Sequence, residues 1–354
     1  MHKDSKIYIA GHKGLIGSSI LKALKAKGYN NFVLKTHQEL DLTRQKEVEE
    51  FFEQERPEYV FFCAAKVGGM IAQIQQKANF LYENLMMQNN VIHNAYKNQC
   101  KKLLYLSSLC IYPEHAPLPI KEEYMLQGSL QSNNEAYGIA KIAGIKLCEF
   151  YSLQYGVDYL SLAPASVYGT EDNYDLSTAN VLAAIFRKIL LAKLFHERQY
   201  DLLLKDTRLE DMASVEEYLK GYNIDDRRVV LLGTGNSSRE FLHTDDLADA
   251  SIFFMENTSI ADCVEMVNGR ACNSHINLGS EELISIRDLA FLIKEVLGYK
   301  GEVEFENKSE NDGTMKKIAD CSKARSLGWN GIKIGIKEGL EQMYQTYLKN
   351  LQMV

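Results

Sequence analysis

KIYIAGHKGLIG, at residues 6–17, is the most informative stretch of the chain. Its first five residues predict a buried β-strand, and apolar residues then recur at helical spacing up to Leu24. Gly11, Gly14 and Gly17 have the spacing G-x-x-G-x-x-G, a close relative of the dinucleotide fingerprint. Such glycines permit a tight turn, close approach to a pyrophosphate, and packing of helix on strand, and the helix N-terminus favours phosphate charge. They also occur in purely structural turns, but a strand before and a helix after favour a dinucleotide cradle.

Short apolar runs alternate with longer amphipathic segments through the first half of the chain. The runs predict strands, with helices between them, at residues 6–10, 32–35, 60–63, 103–106 and 159–162. This alternation predicts an α/β fold with a Rossmann-type, doubly wound parallel sheet.

The pattern changes after about Gly169. A helical stretch from Asn180 to Leu194 leads into a charge-rich insert, residues 195–228, and a strand follows at 229–232. We interpret the insert as a solvated surface excursion with short helices, and a lid or subunit contact is the alternative. The chain is predicted to form a Rossmann domain of residues 1–168 and about 236–262. A smaller interleaved α/β substrate domain takes residues 169–235 and about 263–354.

The composition is that of an ordinary soluble globular protein, with 354 residues, 46% hydrophobic and 25% charged. A net charge of −7 argues against a broad nucleic-acid surface. We expect no membrane span, because no run of about 18 apolar residues occurs. The seven cysteines are odd in number and lack Cys-x-x-Cys spacing, which argues against a disulfide framework or a metal site. The first residues lead into a strand rather than an apolar leader, so a cytoplasmic location is expected.

Residues at the end of the second predicted strand should contact the ribose of the cofactor. NAD sites usually place a carboxylate there, whereas this chain has Lys35-Thr36-His37-Gln38. With Lys13 from the glycine loop, these cations can face a 2′-phosphate, so NADPH is favoured over NADH; alternatively they are solvated loop cations. The remaining predicted cofactor contacts are Leu15, Ile16, Asp41, Leu42, Ala64, Ala65, Leu106, Lys141, Pro164 and Val167.

A second motif, YGIAK at residues 137–141, can act on a carbonyl group. Tyr137 and Lys141 are four residues apart and share one face of a helix. A neighbouring ammonium lowers the pKa of a phenol by roughly 1–3 units, toward the range useful for proton transfer. Ser108, after the fourth strand, can donate a hydrogen bond to a developing oxyanion. Tyr-x-x-x-Lys alone is common, but behind a glycine cradle these three residues indicate the catalytic set of a nicotinamide-dependent oxidoreductase.

These residues resemble the extended, nucleotide-sugar branch of the short-chain dehydrogenase/reductases, and within it the GDP-L-fucose synthase family. The matching stretches are AGHKGLIGS, AAKVGG, CIYP, LQGSL, NEAYGIAKIAGIKLCE, REFLHTDDLA, SHINLG, DGTMKK and LGW. They cover nearly the whole chain apart from the insert.

The resemblance implies a reaction and a site. The family epimerises carbons 3 and 5 of GDP-4-keto-6-deoxy-mannose and then reduces carbon 4 with NADPH. It implies reductase roles for Ser108, Tyr137 and Lys141, and the place of the epimerisation base for Cys110. It also implies pairing into a homodimer through the helix that carries Tyr137 and the helix before it. The implied substrate-binding positions are Cys110, Asn180, Arg187, Lys188, Arg239 and Lys317.

Three positions depart from the family pattern. Asn180 replaces the histidine acid of epimerisation, Leu109 replaces a serine, and Ser166 replaces an asparagine. An asparagine cannot deliver a proton, and reduction does not require one there. Cys110 is either an accessible thiolate that exchanges a proton or a small packed residue. We therefore predict a reductase of the 4-keto group of a GDP-4-keto-sugar, a 6-deoxyhexose or heptose, without epimerisation. A bifunctional fucose synthase and a non-catalytic dinucleotide sensor are the alternatives.

Overall fold

The computed structural model describes residues 1–267, 270–309 and 312–353. Over these ranges the strands are β1 (Ile7–Ala10), β2 (Phe32–Val33), β3 (Tyr59–Phe62), β4 (Lys102–Leu106), β5 (Asp158–Pro164), β6 (Ser166–Tyr168), β7 (Arg228–Leu231), β8 (Ser238–His243), β9 (Glu265–Val267), β10 (Arg270–Cys272), β11 (His275–Leu278), β12 (Leu283–Ser285), β13 (Glu302–Phe305) and β14 (Lys316–Lys317). The helices are α1 (Leu15–Ala26), α2 (Gln45–Glu55), α3 (Met70–Gln75), α4 (Lys77–Lys97), α5 (Glu135–Tyr155), α6 (Val181–His196), α7 (Tyr200–Thr207), α8 (Met212–Gly221), α9 (Thr244–Asn257), α10 (Ile260–Cys263), α11 (Ile286–Leu297), α12 (Ser322–Ser326) and α13 (Ile336–Met353). None of these helices is both long enough and apolar enough to cross a lipid bilayer.

The chain forms two compact units. The first unit comprises Met1–Val167, Glu240–Glu282 and Ile318–Lys333, and the second comprises Tyr168–Arg239, Leu283–Lys317 and Ile334–Val354. Residues 263–282 and 318–333 were predicted to lie in the substrate domain but belong to the first unit, and residues 236–239, predicted in the Rossmann domain, belong to the second. Strand β11 pairs with β5 and so extends the sheet of the first unit, while Ala324 and Trp329 are buried in that unit's core.

The first unit contains a six-stranded parallel sheet in the order β11-β5-β4-β3-β1-β2. The predicted α/β, Rossmann-type fold is therefore confirmed. After β2 pairs with one edge of β1, the chain crosses to form β3 on the other edge. The winding thus reverses between β1 and β3, and ligands of open α/β sheets bind outside the carboxyl ends of the strands at such a switch point.

Neighbouring residues of each strand point to opposite faces of the sheet. Because these residues are apolar on both faces, helices cover both faces. On one face, Tyr8, Phe62 and Tyr105 pack against α2, α4 and α5. On the other face, Ile9 and Phe61 pack against α1 and α9. Each such buried side chain contributes roughly 1.5–3 kcal/mol of hydrophobic stabilisation, so the two cores fix the strand ends at one edge.

The second unit is built around α6, whose Phe186, Ile189 and Leu190 are fully buried. Strand β13 pairs in parallel with β7, and Lys316 and Lys317 of β14 pair in parallel with Ser238 and Arg239. The charge-rich insert contains α7 and α8, so the short helices expected there are present. These helices also bury apolar side chains completely, at Leu203, Val215 and Leu219.

Candidate active site

Two glycines of the loop, Gly11 and Gly17, have no room for a side chain. Gly11 has a φ of +86°, and a Cβ atom there would lie 2.9 Å from the backbone of Ala64. A Cβ atom on Gly17 would lie 2.2 Å from the carbonyl oxygen of Gly11. Both positions therefore require glycine, which brings β1, β3 and α1 into close contact at the switch point.

The N-terminus of α1 is arranged to accept an anion. Gly14 is its N-cap, and among the described residues no side chain caps this helix end and none in its first turn is acidic. The first N–H groups of a helix have no partner within the helix, and they carry partial positive charge. This cradle fits the diphosphate of a dinucleotide.

Most predicted cofactor contacts lie at the same carboxyl edge of the sheet. Ala64 and Ala65 follow β3, Leu106 ends β4, and Pro164 ends β5. Leu42 differs, because its side chain lies in the hydrophobic core and its carbonyl oxygen accepts a hydrogen bond from Asn90. We therefore assign the side chain of Leu42 to packing, and the other positions stay predictions of cofactor contact.

The segment after β2 holds its own acidic groups in place. The backbone N–H and the hydroxyl of Thr36 donate to Glu39 at 2.8 Å and 2.7 Å. These hydrogen bonds, together with the charges of Lys35 and Lys13, hold the pKa of Glu39 below its usual value. His37 lies 3.9 Å from the carboxylate of Asp41. The cations predicted to read the 2′-phosphate thus cluster with carboxylates that have local partners.

Cys110 lies on a short 3₁₀ helix, Leu109–Ile111, that follows β4, and Ser108 is the N-cap of this helix. The hydroxyl of Ser108 caps it by accepting a hydrogen bond from the N–H of Cys110 at 3.2 Å. The amide of Asn134 donates to the sulfur of Cys110 at 3.4 Å. A Cβ atom on Gly138 would lie 2.6 Å from the carbonyl oxygen of Cys110, so this 3₁₀ helix packs directly on the first turn of α5, next to Tyr137.

Lys141 is buried at the carboxyl end of β4. Its Nζ donates to the carbonyl oxygen of Leu106 at 2.7 Å and lies 4.7 Å from the ring centroid of Tyr105. It lies 5.6 Å from the ring centroid of Tyr137. Burial lowers the pKa of Lys141 to about 7, against the opposing effect of the thiols of Cys63 and Cys110. The structure thus brings Ser108, Tyr137 and Lys141 together.

The sequence predicted that Lys141 lowers the pKa of the Tyr137 phenol, and this prediction is wrong. Burial raises the pKa of Tyr137 well above its usual value, and Cys110 raises it further. Lys141 does not offset this rise, because its Nζ donates to Leu106 rather than to the phenol oxygen. Tyr137 is therefore held protonated, which is the form that can give a proton to a carbonyl oxygen.

Two residues that hold Lys141 were not found from the sequence. The hydroxyl of Tyr105 donates to the side chain of Gln88 at 2.8 Å, and Gln88 donates to the carbonyl oxygen of Ala140 at 2.9 Å. The ring of Tyr105 occupies the notch left by Gly144, where a Cβ atom would lie 2.4 Å from it. A glycine inside a helix is the one sequence signal that pointed to this close packing.

The predicted substrate-binding residues of the second unit differ in their surroundings. Asn180 is the exposed N-cap of α6 and makes no side-chain cap. The Nζ of Lys188 donates to the carbonyl oxygen of Val230 at 3.0 Å, and burial lowers its pKa to about 8. Arg239 and Lys317 are register partners on β8 and β14, so two cations lie side by side. For these four residues, substrate contact stays a prediction.

Arg187 is bonded within the second unit, and its contact with the substrate stays a prediction. All three of its guanidinium nitrogens bond within the unit, to the carboxylate and carbonyl oxygen of Asp206 and to the carbonyl oxygen of Tyr174. Its guanidinium group is thus held in place by Asp206 and Tyr174.

Comparisons with known proteins show the family of the chain. The NAD dependent epimerase/dehydratase family matches residues 7–268. GDP-L-fucose synthase 1 of Arabidopsis thaliana is 44% identical over 349 residues, 99% of this chain and 95% of that protein. The solved GDP-6-OMe-4-keto-L-xylo-heptose reductase of Campylobacter jejuni is 43% identical, with a TM-score of 0.95 and coverage of 99% of both chains. The solved GDP-mannoheptose C4 reductase of Campylobacter jejuni with NADP bound is 43% identical, with a TM-score of 0.86, covering 98% of this chain and 99% of that one. The resemblance is confirmed, and the chain belongs to the NAD dependent epimerase/dehydratase family, in its group of GDP-sugar synthases and reductases.

Proposed function

We propose that this protein reduces the 4-keto group of a GDP-4-keto-sugar with NADPH, in activated-sugar biosynthesis, and does not epimerise the sugar. The observation that carries the proposal is that α5, with Tyr137 and Lys141 side by side, packs on the 3₁₀ helix that Ser108 caps, at the carboxyl edge of the sheet. That set supplies an acid and an oxyanion donor, which are what carbonyl reduction needs from the protein.

Bound NADPH supplies the hydride that carbon 4 receives. Tyr137 gives its phenolic proton to the oxygen on carbon 4, and the Ser108 hydroxyl donates a hydrogen bond to the same oxygen. The remaining phenolate is stabilised by the ammonium of Lys141, whose pKa rises in response to the new negative charge. The alcohol therefore gains one hydride and one proton, and Tyr137 regains its proton from solvent.

The positive charges at and near the segment after β2 support the proposed preference for NADPH over NADH. Lys13 and Lys35 lie near Glu39, and Thr36 already bonds that carboxylate. A 2′-phosphate would gain two cations there, whereas a free 2′-hydroxyl needs a carboxylate acceptor. A similar solved reductase has NADP bound.

The sugar is proposed to be a GDP-linked 6-deoxyhexose or heptose. Two similar solved structures are GDP-heptose reductases, while a similar curated protein is a GDP-L-fucose synthase. The buried Leu109 and the exposed Ser166 change the side chains that the fucose synthase pattern has at these positions.

Absence of epimerisation is proposed on Asn180, which cannot titrate. Bifunctional fucose synthase is the second candidate, favoured by the half-exposed Cys110 next to Tyr137. Incubation of the protein with NADPH and GDP-4-keto-6-deoxy-mannose in D₂O separates them. We expect NADPH oxidation without deuterium entering both carbon 3 and carbon 5 at a rate comparable to reduction, and Cys110→Ala should keep the reductase activity. Efficient inversion at both carbons would return the protein to the bifunctional class.

The third candidate, a dinucleotide sensor, predicts NADPH binding without turnover. NADPH oxidation with any GDP-4-keto-sugar of a panel eliminates it. Asn180→His tests whether the missing acid can be restored. If this variant gains inversion of the sugar carbons, Cys110 is correctly placed to act as the base.

We further propose a cytoplasmic homodimer that pairs through α4 and α5. Ile142 and Ile145 of α5 face the core, yet Ile139, Phe150 and Leu153 of the same helix are 44%, 56% and 54% exposed. A helix that is apolar on a second, exposed face indicates a protein partner for that face.

A further inference from the structure

The insert has a buried charge at the end of α7. The side chain of Asp206 is completely buried, and that of Arg187 is 13% exposed. The Asp206 carboxylate accepts hydrogen bonds from Nη2 and Nε of Arg187 at 2.8 Å and 3.1 Å. A carboxylate buried this deeply requires a paired, hydrogen-bonded cation, so Asp206 and Arg187 form one unit.

Two further groups complete this unit. The hydroxyl of Tyr347, on α13, donates to the other carboxylate oxygen of Asp206 at 2.5 Å. The Nη1 of Arg187 donates to the carbonyl oxygen of Tyr174 at 3.0 Å. The ring of Tyr174 also packs edge-on against Tyr347, with centroids 4.8 Å apart, and lies 5.8 Å from the ring of Phe186. The insert is thereby joined through α6 and α13 to the backbone at Tyr174.

Tyr174 is the anchor of residues 169–180, which we name the pre-α6 segment. Among the described residues, the other hydrogen bonds of the pre-α6 segment join its own residues to each other, as from Tyr174 to Gly169 and from Ser177 to Asp175. One more, from Ala184 to Asn180, is the first hydrogen bond of α6. The segment ends at Asn180, the N-cap of α6. The stretch of chain that leads into Asn180 is therefore the one that Arg187 and the aromatic rings hold at Tyr174.

We infer that Asp206 is a positioning residue for sugar binding, which rests on the proposed function. It fixes Arg187, and Arg187 in turn fixes the pre-α6 segment that presents Asn180. The insert is a packed support for this segment rather than a lid, because swinging it out would expose Leu203, Val215 and Leu219, all fully buried.

Asp206→Asn tests the inference, with Asp201→Asn on the exposed side of the same helix as the matched control. We expect Asp206→Asn to raise KM for GDP-4-keto-6-deoxy-mannose at least tenfold while the Kd for NADPH changes less than twofold. Hydrogen exchange of the amides of residues 170–180 should become faster. The control should match the parent protein in all three measurements, and an unchanged KM and unchanged exchange in Asp206→Asn would overturn the inference.

A double variant, Arg187→Met with Asp206→Leu, separates positioning from folding. It leaves no unpaired buried charge, so its Tm should recover relative to Asp206→Asn. It still lacks the hydrogen bond to Tyr174, so the raised KM and the faster exchange should persist. Recovery of KM together with Tm would show a purely structural role. If the parent turns over no keto-sugar, the proposed function fails, whereas the exchange comparison still decides whether Asp206 holds the segment.

Discussion

Replacing Lys141 by methionine is expected to stabilise the nucleotide-free protein at pH 6 while abolishing its reductase activity. The ammonium is buried, and burial lowers its pKa from 10.5 to about 7. Between these pH values the unfolded chain holds a proton that the folded protein has lost, so the free energy of unfolding rises with pH. Below about pH 7 both states carry the charge, and the full cost of burying it is present.

The magnitude follows from the two pKa values. They differ by about 3.5, and each unit corresponds to about 1.4 kcal/mol. The destabilisation is therefore about 5 kcal/mol at pH 6 and about 2 kcal/mol at pH 9. Methionine also loses the hydrogen bond to the carbonyl oxygen of Leu106, which contributes about 1.5–3 kcal/mol. The variant should thus be more stable than the parent by about 2–3 kcal/mol at pH 6 and nearly equal to it at pH 9.

Urea unfolding of the nucleotide-free protein at pH 6 and pH 9, followed by circular dichroism, measures both differences. Lys77→Met on α4 is the control, because Lys77 is exposed and its removal should give the same small difference at both pH values. A Lys141→Met variant that is less stable than the parent at pH 6, or whose difference from the parent does not change with pH, would refute the reasoning. Either result would mean that the ammonium is not desolvated in the folded protein.

Tyr137→Phe should reduce kcat at least a hundredfold and leave the Kd for NADPH within about twofold; activity within tenfold of the parent would remove the phenol from the acid role. Exchanging Lys13 and Lys35 together for alanine should raise the KM for NADPH at least tenfold and leave that for NADH nearly unchanged, and equal losses with both cofactors would contradict the assignment. Sedimentation at micromolar concentration should give a dimer for the parent and a monomer for Phe150→Asp, whereas a monomeric parent would exclude the proposed interface.

The parallel sheet was largely predictable because its strands are buried on both faces and read as continuous apolar runs. The predicted strand at 60–63 became Tyr59–Phe62, and the one at 103–106 became Lys102–Leu106. Strand β11 was not predicted as part of this sheet. Its His275 and Asn277 are polar yet fully buried, because both bond to the hydroxyl of Tyr112. Only the folded chain brings that hydroxyl from the CIYP stretch to the strand.

The proximity of Tyr137 and Lys141 was predictable from their spacing, but their proton affinities were not. Tyr137 and Lys141 share a helix face through local geometry alone. Their pKa values depend instead on burial in the folded chain and on groups distant in sequence, such as Cys63 after β3, which raises the pKa of Lys141 against the effect of burial. The ion pair of Arg187 was not predictable for a related reason. Its partner Asp206 lies in the insert, the one part of the chain that the family motifs do not cover.

The proton affinities of the site bear on which reaction it performs. Reduction needs a group that holds a proton until the carbonyl oxygen gains charge, and a Tyr137 with a raised pKa is such a group. Epimerisation needs a base to remove a proton from carbon and an acid to return one on the opposite face. Tyr137 stays protonated near neutral pH and so cannot act as the base, and the amide of Asn180 has no acidic proton to return. Cys110, whose sulfur accepts a hydrogen bond from Asn134, holds the place of the base in the family pattern, and Asn180 holds the place of the acid. The chemistry of these side chains therefore favours reduction, and the deuterium experiment tests the step that Cys110 alone can still perform.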